Sequence, residues 1–303
     1  MRLVTGGSGF IGRNLDGDVK MSKSNADLRS FNETLNSFKK LKPSTIVNCA
    51  SKFGNYLDMQ KDFVEHFTDN MLINMNVYKA ALMQNVKRMI TLSSITAFPT
   101  YQFTFGYNSL PSINEEHLHM GEVDSSCYTS GYAKRMIDVL SRSYNDTHDV
   151  NYICTFLTNT YGQHFKVNNG TIPYLIYKCY DAKINNTDLI LSGDGSQLRD
   201  FIYVKDVNEI INWLLDNYKD NSPIIISTNN VRSIKEITEI ITKIMKFKRN
   251  IIWKPSDNVG QHIKICNNNK LRTFYPEFKF TCLEDGIYET VEWFYQNKSN
   301  YGF

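Results

Sequence analysis

The chain has 303 residues, of which 42% are hydrophobic and 21% are charged, and its formal net charge is +3. This composition is typical of a soluble globular protein with one large domain or two smaller ones. A charge so close to zero argues against nucleic acid or a membrane surface as the partner. No apolar run approaches the roughly 18 residues that a membrane-spanning helix needs.

The six cysteines are scattered, and no pair has the Cys-x-x-Cys spacing of a zinc or redox site. No secretory signal is recognisable, so we expect reduced thiols in a cytoplasmic protein. The histidines show no metal-ligand spacing either, and we expect no metal.

The first predicted strand, "MRLVT", leads into a glycine-rich turn. Gly6, Gly9 and Gly12 form a G-x-x-G-x-x-G pattern within "VTGGSGFIG". Glycines at these places permit a tight turn and let a pyrophosphate approach the amides at the N-terminus of a helix. The pattern predicts a dinucleotide site, which includes Phe10 and Ile11 of the same turn.

The second predicted strand, within residues 18–28, indicates which dinucleotide binds. NAD enzymes usually carry an acidic residue at the end of this strand, where it binds the ribose 2′-hydroxyl. Here the end reads Met21-Ser22-Lys23. A lysine and a hydroxyl suit a 2′-phosphate better, so we predict NADP(H), with Lys23 as a contact. The alternative is that Lys23 is an ordinary surface lysine.

Only residues 7–18 lie between these two strands. A crossover between parallel strands needs at least about 10–12 residues, so the first helix must be a stub that ends near Gly17. Either the sheet is uncovered at this place, or another part of the chain packs over it.

Strand and helix patterns alternate along the next stretch of chain. Buried strands are predicted at 45–51 and 88–94, and apolar residues have helical spacing over 69–85. This alternation predicts an α/β fold, a Rossmann-type doubly wound parallel sheet. After about residue 163 the elements are shorter, which favours a smaller, interleaved C-terminal substrate domain.

We therefore expect a nucleotide-binding domain over residues 1–162 and a mainly substrate-binding domain over 163–303. The segment "PIIIST" (223–228) has the pattern of one more buried strand. Residues 203–231 are accordingly expected to return to the first domain.

The segment "CYTSGYAKR" (127–135) resembles the Tyr-x-x-x-Lys pattern of many nicotinamide-dependent reductases, but Ser130 stands four residues before Lys134. A helix turns about 100° per residue, so Tyr132 points to another face than Lys134. Tyr128 is also out of phase if the helix is continuous. If Tyr128 precedes the helix, its hydroxyl can reach the place of a tyrosine at 130, and we prefer it for this reason. The alternative is that both tyrosines only pack.

The ordered segments "TGGSGFIG", "VNCAS", "LSSITAFP", "GYAKRMIDV" and "GDGSQLRDFIYVKDV" resemble the extended short-chain dehydrogenases/reductases. Within them the chain resembles the GDP-L-fucose synthase family of epimerase–reductases. The resemblance covers essentially the whole chain. It implies a Rossmann fold, NADP(H) and a nucleotide-diphosphate sugar as substrate.

The resemblance also implies roles for individual residues. The catalytic serine falls on Ser94, which would hydrogen-bond the sugar carbonyl, and the lysine falls on Lys134. In the family this lysine holds the nicotinamide ribose and lowers the pKa of the proton-donating tyrosine. Tyr128 is our candidate for that donor.

Further contacts are implied by the same resemblance. Those to the cofactor fall on Asp27 and Leu28 near the adenine, Ala50, and Asn159 and Thr160 in a loop beside the nicotinamide. Those to the substrate fall on Lys178, Arg199 and Lys264; Arg199 matches an arginine that binds the diphosphate, because a guanidinium forks onto phosphate oxygens.

Several family positions are changed here. The epimerase cysteine falls on Thr96 and the epimerase histidine on Gly170, and neither can act as a base near neutral pH. His164 is the nearby substitute, although a loop histidine is more often a surface residue. Ser192 stands where a tryptophan usually packs on the guanine, which leaves the base open. Ile95-Thr96 replaces the acidic pair of the dehydratases, which argues against dehydration.

Three hypotheses follow. The first is an NADPH-dependent 4-ketoreductase of a 4-keto-6-deoxy sugar nucleotide, with little or no epimerase activity. The second is a full GDP-L-fucose synthase with substitute groups. The third is a non-catalytic homologue that binds nucleotide or a partner protein. The resemblance further implies a homodimer that pairs through helices at about 63–84 and 130–146.

Overall fold

The computed structural model of the chain describes residues 1–52, 62–100, 113–167, 170–256 and 261–301. Its strands, in chain order, are β1 (Arg2–Thr5), β2 (Val19–Met21), β3 (Thr45–Asn48), β4 (Arg88–Ser94), β5 (Asn151–Leu157), β6 (Asn159–Tyr161), β7 (Leu189–Ser192), β8 (Leu198–Tyr203), β9 (Ile224–Ile226), β10 (Val231–Ser233), β11 (Ile251–Lys254) and β12 (Ile263–Lys264).

The α-helices alternate with these strands over most of the chain. In chain order they are α1 (Phe10–Asn14), α2 (Phe31–Leu41), α3 (Phe63–Met83), α4 (Tyr128–Thr147), α5 (Thr171–Ile184), α6 (Val204–Asn217), α7 (Ile234–Ile244), α8 (Asn269–Phe274) and α9 (Leu283–Asn297).

The main sheet has six strands in the order β2-β1-β3-β4-β5-β9, and each neighbouring pair is parallel. The strands that carry the predicted cofactor and catalytic residues, β1, β3 and β4, are direct neighbours. Their carboxyl ends therefore meet at one edge of the sheet, which is where ligands of open α/β sheets bind. The predicted fold class, a Rossmann-type parallel sheet, is confirmed.

Successive residues of the strands point to opposite faces of this sheet. Leu3 and Ile46 join a core with α2, α3 and α4 on one face. Val4 and Val47 join a second core with α6 on the other. Because both faces are covered by helices, the two middle residues of β1 and of β3 are both apolar rather than alternating with polar ones.

A smaller layer follows in the C-terminal half. It contains β10-β8-β12, with β6 also paired to β8, and the pair β11-β7. Residues of α5, α7 and α9 form its own apolar core with β7 and β8. Between β8 and β10 the chain returns to the main sheet: α6 packs on one of its faces, and β9 pairs with β5. The domain boundaries expected from the sequence stay a prediction.

The first helix is the short one that the sequence required, and α6 packs beside it. Leu15, just after α1, belongs to the same core as Ile210 and Ile211 of α6. Polar contacts close the rim of this packing: Asp16 accepts hydrogen bonds from Asn208 at 2.9 Å and from Asn212 at 2.8 Å. The stub therefore leaves no gap, because a helix almost 200 residues later in the chain covers the sheet there.

Helices α3 and α4 pack against each other and leave apolar side chains on the surface. Met75 and Val139 are 51% and 43% exposed, and a cavity of about 190 Å³ lies between the two helices. The expected dimer contact through these helices stays a prediction. In the described part of the chain, no helix combines the length and the hydropathy needed to span a bilayer.

Candidate active site

The glycine turn is built by close contacts that only glycine allows. Gly6 has φ +67°, and a Cβ there would lie 2.8 Å from the backbone nitrogen of Ala50. A Cβ on Gly12 would lie 2.3 Å from the carbonyl oxygen of Gly6. The turn is therefore pressed against the end of β3 and against α1.

The remaining residues of the turn lie at its surface. Gly9 is exposed, and its N–H donates to the carbonyl of Gly6 at 2.9 Å. Phe10 and Ile11 are half-buried; Phe10 packs on the C-terminal core and Ile11 on the core under α6. The predicted residues thus surround an accessible backbone surface at the carboxyl ends of β1 and β3.

The segment after β2 carries an ion-pair network that the sequence analysis missed. Asp27 is bound by Arg29, whose Nη2 lies 2.6 Å from the carboxylate. This bond, the largest cause, lowers the pKa of Asp27 to about 2. Arg29 also reaches Asp69 of α3 at 3.1 Å. The only sequence signal for this network was an arginine two residues after an aspartate.

Lys23 lies at the same edge of the sheet, with its side chain 75% exposed and its Nζ 4.0 Å from Asp27. Leu28, between Asp27 and Arg29, is buried. Because Arg29 already neutralises the Asp27 carboxylate, Lys23 stays available to an anion such as a 2′-phosphate.

Ser94 lies at the carboxyl end of β4, and Lys134 contacts the same strand two residues earlier. Ser94 is the last residue of β4, and its Oγ accepts a hydrogen bond from the N–H of Thr96 at 3.3 Å. Lys134 of α4 donates from Nζ to the carbonyl of Leu92 at 3.4 Å. The Oγ of Ser93 donates to the carbonyl of Lys134 at 2.9 Å and fixes α4 against β4.

Burial is the main influence on the Lys134 amine and lowers its pKa. The thiols of Cys154 and Cys49 lie near this amine. Cys49 directly precedes Ala50, so the amine of Lys134 lies between the ends of β3 and β4.

The expectation that Tyr128 precedes the helix is wrong. Tyr128 is the first residue of α4, with φ −56° and ψ −41°. A 3₁₀ turn at Ser125–Cys127, capped by Asp124, runs directly into the helix, so no loop residue separates them. Tyr128 is therefore bound by helical phase, about 120° from Lys134, and Thr129 and Ser130 lie inside the helix rather than capping it.

The two tyrosines have different surroundings. Tyr128 is 43% exposed, and its ring packs on Phe63 with 5.4 Å between the centroids. Tyr132 lies under the guanidinium of Arg135, 5.4 Å from the ring centroid. Arg135 is buried and donates to the carbonyls of Ala97 and Gly121. Tyr132 is thus part of a packed cluster, whereas Tyr128 is accessible.

Asn159 and Thr160 lie in the short strand β6, not in the expected loop. β6 pairs with β8, and Asn159 Nδ2 donates to the carbonyl of Asp200 at 2.9 Å. The pairing with β8 is a contact between distant parts of the chain, which explains why local sequence suggested a loop. Both residues are half-buried.

Arg199 and Lys264 are brought together by the sheet. Arg199 of β8 is paired in register with Lys264 of β12, so their side chains share one face. The guanidinium of Arg199 donates to the carbonyls of Gln261 and His262 at 2.5 and 3.3 Å. Burial lowers the pKa of Arg199 to about 10 and also lowers that of Lys264. Two partly desolvated cations on one face are suited to a diphosphate.

Lys178 is the predicted substrate residue that the structure places apart. It lies half-buried on α5, whereas the two other cations are on β8 and β12. Within the described residues no hydrogen bond or ion pair joins Lys178 to either of them.

The changed family positions carry no evident acid–base group. The carbonyl of Thr96 faces Gly131 of α4, where an added Cβ would lie 2.8 Å away. Gly170 precedes α5 with φ +129°. His164, the nearby candidate, packs on Trp293 with 5.2 Å between ring centroids, and burial lowers its pKa.

The position of the missing tryptophan is on the surface. Ser192 ends β7 opposite Lys254 of β11, and both are exposed. Trp253, the residue before Lys254, faces the opposite side of this strand pair. Its ring packs against Gly195, where an added Cβ would lie only 2.8 Å away. Across the described residues, no group of three or more His, Cys, Asp or Glu side chains is arranged to hold a metal ion.

Comparison with known proteins agrees with this architecture. The model of the NAD dependent epimerase/dehydratase family matches residues 2–227. The GDP-L-fucose synthase of Dictyostelium discoideum is 35% identical over 97% of this chain and 95% of its own length. The probable GDP-L-fucose synthase of Drosophila melanogaster is 30% identical over 97% of each chain. A solved GDP-L-fucose synthetase from Naegleria fowleri bound to NADP has a TM-score of 0.88 at 30% identity, over 98% of this chain and 93% of that one.

The Asp27–Arg29 pair gives a pH-dependent stability. The pKa of Asp27 in the folded protein, about 2, lies below the ordinary value of 3.8. The pair therefore stabilises the fold above about pH 4 and loses this contribution as the pH falls toward 2. We expect Asp27→Asn to lower the free energy of unfolding at pH 7 by about 1 kcal/mol, a value reduced for the partial exposure of the pair.

Urea unfolding of the variant and the unsubstituted protein between about pH 7 and pH 3 measures this difference, which should shrink as the pH falls. Asp149→Asn is the matched control, because its fully exposed carboxylate pairs only with Lys87; we expect it to change nothing measurable. An Asp27→Asn difference that is absent at pH 7, or that stays constant with pH, contradicts the assignment.

Proposed function

The chain belongs to the NAD dependent epimerase/dehydratase family, and we propose that it uses NADPH to reduce the carbonyl of a GDP-linked 4-keto-6-deoxy sugar. The enzyme class predicted from the sequence is confirmed: the chain is an NADP-dependent oxidoreductase of the extended short-chain dehydrogenase/reductase type. GDP is the nucleotide in the names of the relatives from Dictyostelium and Drosophila, which match nearly the whole chain.

The observation that carries the proposal is the position of Lys134. Its amine is held at the carbonyl of Leu92, two residues before Ser94, and lies near Cys49, one residue before Ala50. A cation at this place lies between the cofactor edge of β3 and the hydroxyl of Ser94. A reductase needs this arrangement, because the cofactor and the carbonyl must both be held there.

The residues present fit NADPH. The glycine turn keeps side chains away from the ends of β1 and β3, as the contacts of Gly6 and Gly12 require, so a pyrophosphate can approach the backbone. Lys23 is the candidate contact for the 2′-phosphate. When bound, NADPH supplies the hydride.

The proposed reaction uses three side chains. Ser94 donates a hydrogen bond to the carbonyl oxygen of the sugar. Tyr128 transfers its phenolic proton to that oxygen as the carbon is reduced, so the carbonyl becomes an alcohol and a phenolate remains. The amine of Lys134 holds the ribose of the nicotinamide. We choose Tyr128 because its ring is accessible, while Tyr132 is packed on Arg135.

Substrate binding rests on the two paired cations. Arg199 and Lys264 lie in register on one face, and a diphosphate carries the opposite charge in a size that two neighbouring cations can bind.

We propose that epimerisation at the carbons flanking the ketone is weak or absent. Moving a proton at such carbons needs a general base near the substrate, and Thr96 and Gly170 provide none. His164, the candidate substitute, is packed on Trp293. Reduction needs none of these positions.

The first experiment is NADPH oxidation with GDP-4-keto-6-deoxy-mannose in D₂O, followed by NMR of the product. We expect NADPH to be consumed and no deuterium to enter at the carbons flanking the ketone. Deuterium at these carbons means a full epimerase–reductase with substitute groups. NADPH binding without oxidation means either that this sugar nucleotide is not the substrate or that the chain is a non-catalytic homologue. The second candidate is favoured by Ser130, which takes the tyrosine position in a continuous helix.

Tyr128→Phe tests the proton donor. Loss of a general acid lowers rates by about 10²–10⁴-fold, so we expect a fall of this order in kcat with little change in the NADPH dissociation constant. Tyr132→Phe is the matched control on the same helix and should retain most activity. If Tyr132→Phe is the inactive variant and Tyr128→Phe is active, the assignment of the donor is wrong.

A further inference from the structure

A row of buried polar side chains connects the cofactor strands with α3. Thr5, Asn48, Asn74 and Asn70 are all 4% exposed or less, although their neighbours in this core are apolar. Burying a polar group is unfavourable unless it is hydrogen-bonded. Polar residues at four adjacent buried places therefore need an explanation that packing alone does not give.

The hydrogen bonds of these side chains form one continuous chain that ends on the backbone of Asn70. Thr5 Oγ1 donates to Asn48 Oδ1 at 2.6 Å. Asn48 Nδ2 donates to Asn74 Oδ1 at 3.0 Å. Asn74 Nδ2 in turn donates to the carbonyl of Asn70 at 2.8 Å. Thr5 is the residue before Gly6, so the chain begins at the glycine turn.

The same asparagines bind the backbone that follows β3. Asn48 Oδ1 also accepts from the N–H of Ala50 at 3.3 Å. Asn70 Oδ1 accepts from the N–H of Lys52 at 2.9 Å, and its Nδ2 donates to the carbonyl of Lys52 at 3.0 Å. Residues 50–52 are therefore fixed at two points, to β3 and to α3.

This backbone is one wall of the glycine turn. β3 ends at Asn48, and beyond it one ladder-type bond remains, from the N–H of Cys49 to the carbonyl of Thr5 at 3.3 Å. The Cβ position of Gly6 is 2.8 Å from the nitrogen of Ala50. A displacement of residues 50–52 therefore moves the surface against which the cofactor lies.

We propose that Asn48 is a positioning residue of the cofactor site. Through Thr5 and Ala50 it sets the spacing between the glycine turn and the wall at residues 50–52, and through Asn74 it fixes this spacing to α3. The inference rests on the proposed function only in placing NADPH at this edge. It concerns cofactor affinity and not the identity of the sugar.

The test is NADPH binding by isothermal titration calorimetry, without any sugar substrate. Asn48→Leu has a similar size and removes all three hydrogen bonds. We expect its NADPH dissociation constant to rise about tenfold, the order expected when one or two buried hydrogen bonds are lost. The KM for NADPH should rise in parallel, while kcat at saturating NADPH stays within about twofold, since the reacting groups are untouched.

Asn145→Leu is the matched control. Asn145 also binds backbone through both amide atoms, the N–H and the carbonyl of Tyr152 at 2.9 Å each, but it lies near the end of α4 and contacts the start of β5, away from the carboxyl edge. It should lose stability without losing NADPH affinity. Asn48→Asp keeps the acceptor for Thr5 and Ala50 and loses the donor to Asn74, so its affinity should lie between those of Asn48→Leu and the unsubstituted protein.

The proposal is overturned if Asn48→Leu binds NADPH normally while its melting temperature falls as far as that of Asn145→Leu. The role of Asn48 is then only structural. If Asn48→Leu does not fold, Thr5→Val removes one bond of the same chain and should weaken NADPH binding in the same direction; unchanged binding overturns the proposal equally. An unsubstituted protein that binds NADPH but reduces no ketosugar refutes the proposed function and leaves this test intact.

Discussion

The close approach of the glycine turn to the end of β3 is the constraint on which the site depends. Gly6 must lack a side chain because the backbone of Ala50 occupies the place of its Cβ. This contact fixes the first loop of the chain at the carboxyl ends of β1 and β3. β4 is the next strand of the parallel sheet, so Ser94 and, through α4, Lys134 come to the same edge. The order of the strands therefore brings the catalytic candidates Ser94 and Lys134 to this edge of the sheet.

The chain keeps this framework while its reactive positions vary. The hydroxyl of Ser94 and the amine of Lys134 remain, and the cations Arg199 and Lys264 remain paired. The tyrosine position is a serine, and the epimerase positions are Thr96 and Gly170. In the proposed site these changes fall on positions expected to meet the sugar rather than on those expected to hold the cofactor. The arrangement is consistent with an enzyme that binds NADPH and a sugar nucleotide and performs a reduced set of proton transfers.

The sequence could predict those features that depend on local pattern. The glycine spacing at Gly6, Gly9 and Gly12, the apolar strands of a parallel sheet and the short α1 all follow from residues close together in the chain. The predicted start of α4 was a few residues too late, because the turn capped by Asp124 runs directly into Tyr128. β6 looked like a loop, since its partner β8 lies about 40 residues later in the chain.

Features that depend on distant contacts could not be predicted. The cover over α1 is α6, and neither its pattern nor that of α1 indicates this pairing. Arg29 pairs locally with Asp27, and only the fold brings its second partner, Asp69, beside it. The hydrogen bonds of Asn48 likewise join β1, β3 and α3. In each case single residues in the sequence had an ordinary interpretation, and the network appears only when the elements are packed.

The central claim is that hydride transfer survives the loss of the usual tyrosine position. The most direct measurement is turnover with NADPH deuterated at C4 of the nicotinamide and GDP-4-keto-6-deoxy-mannose, with NMR of the sugar product. The account predicts deuterium bound to the former carbonyl carbon. A sugar that is recovered with its carbonyl intact, while NADPH binds normally, would contradict it.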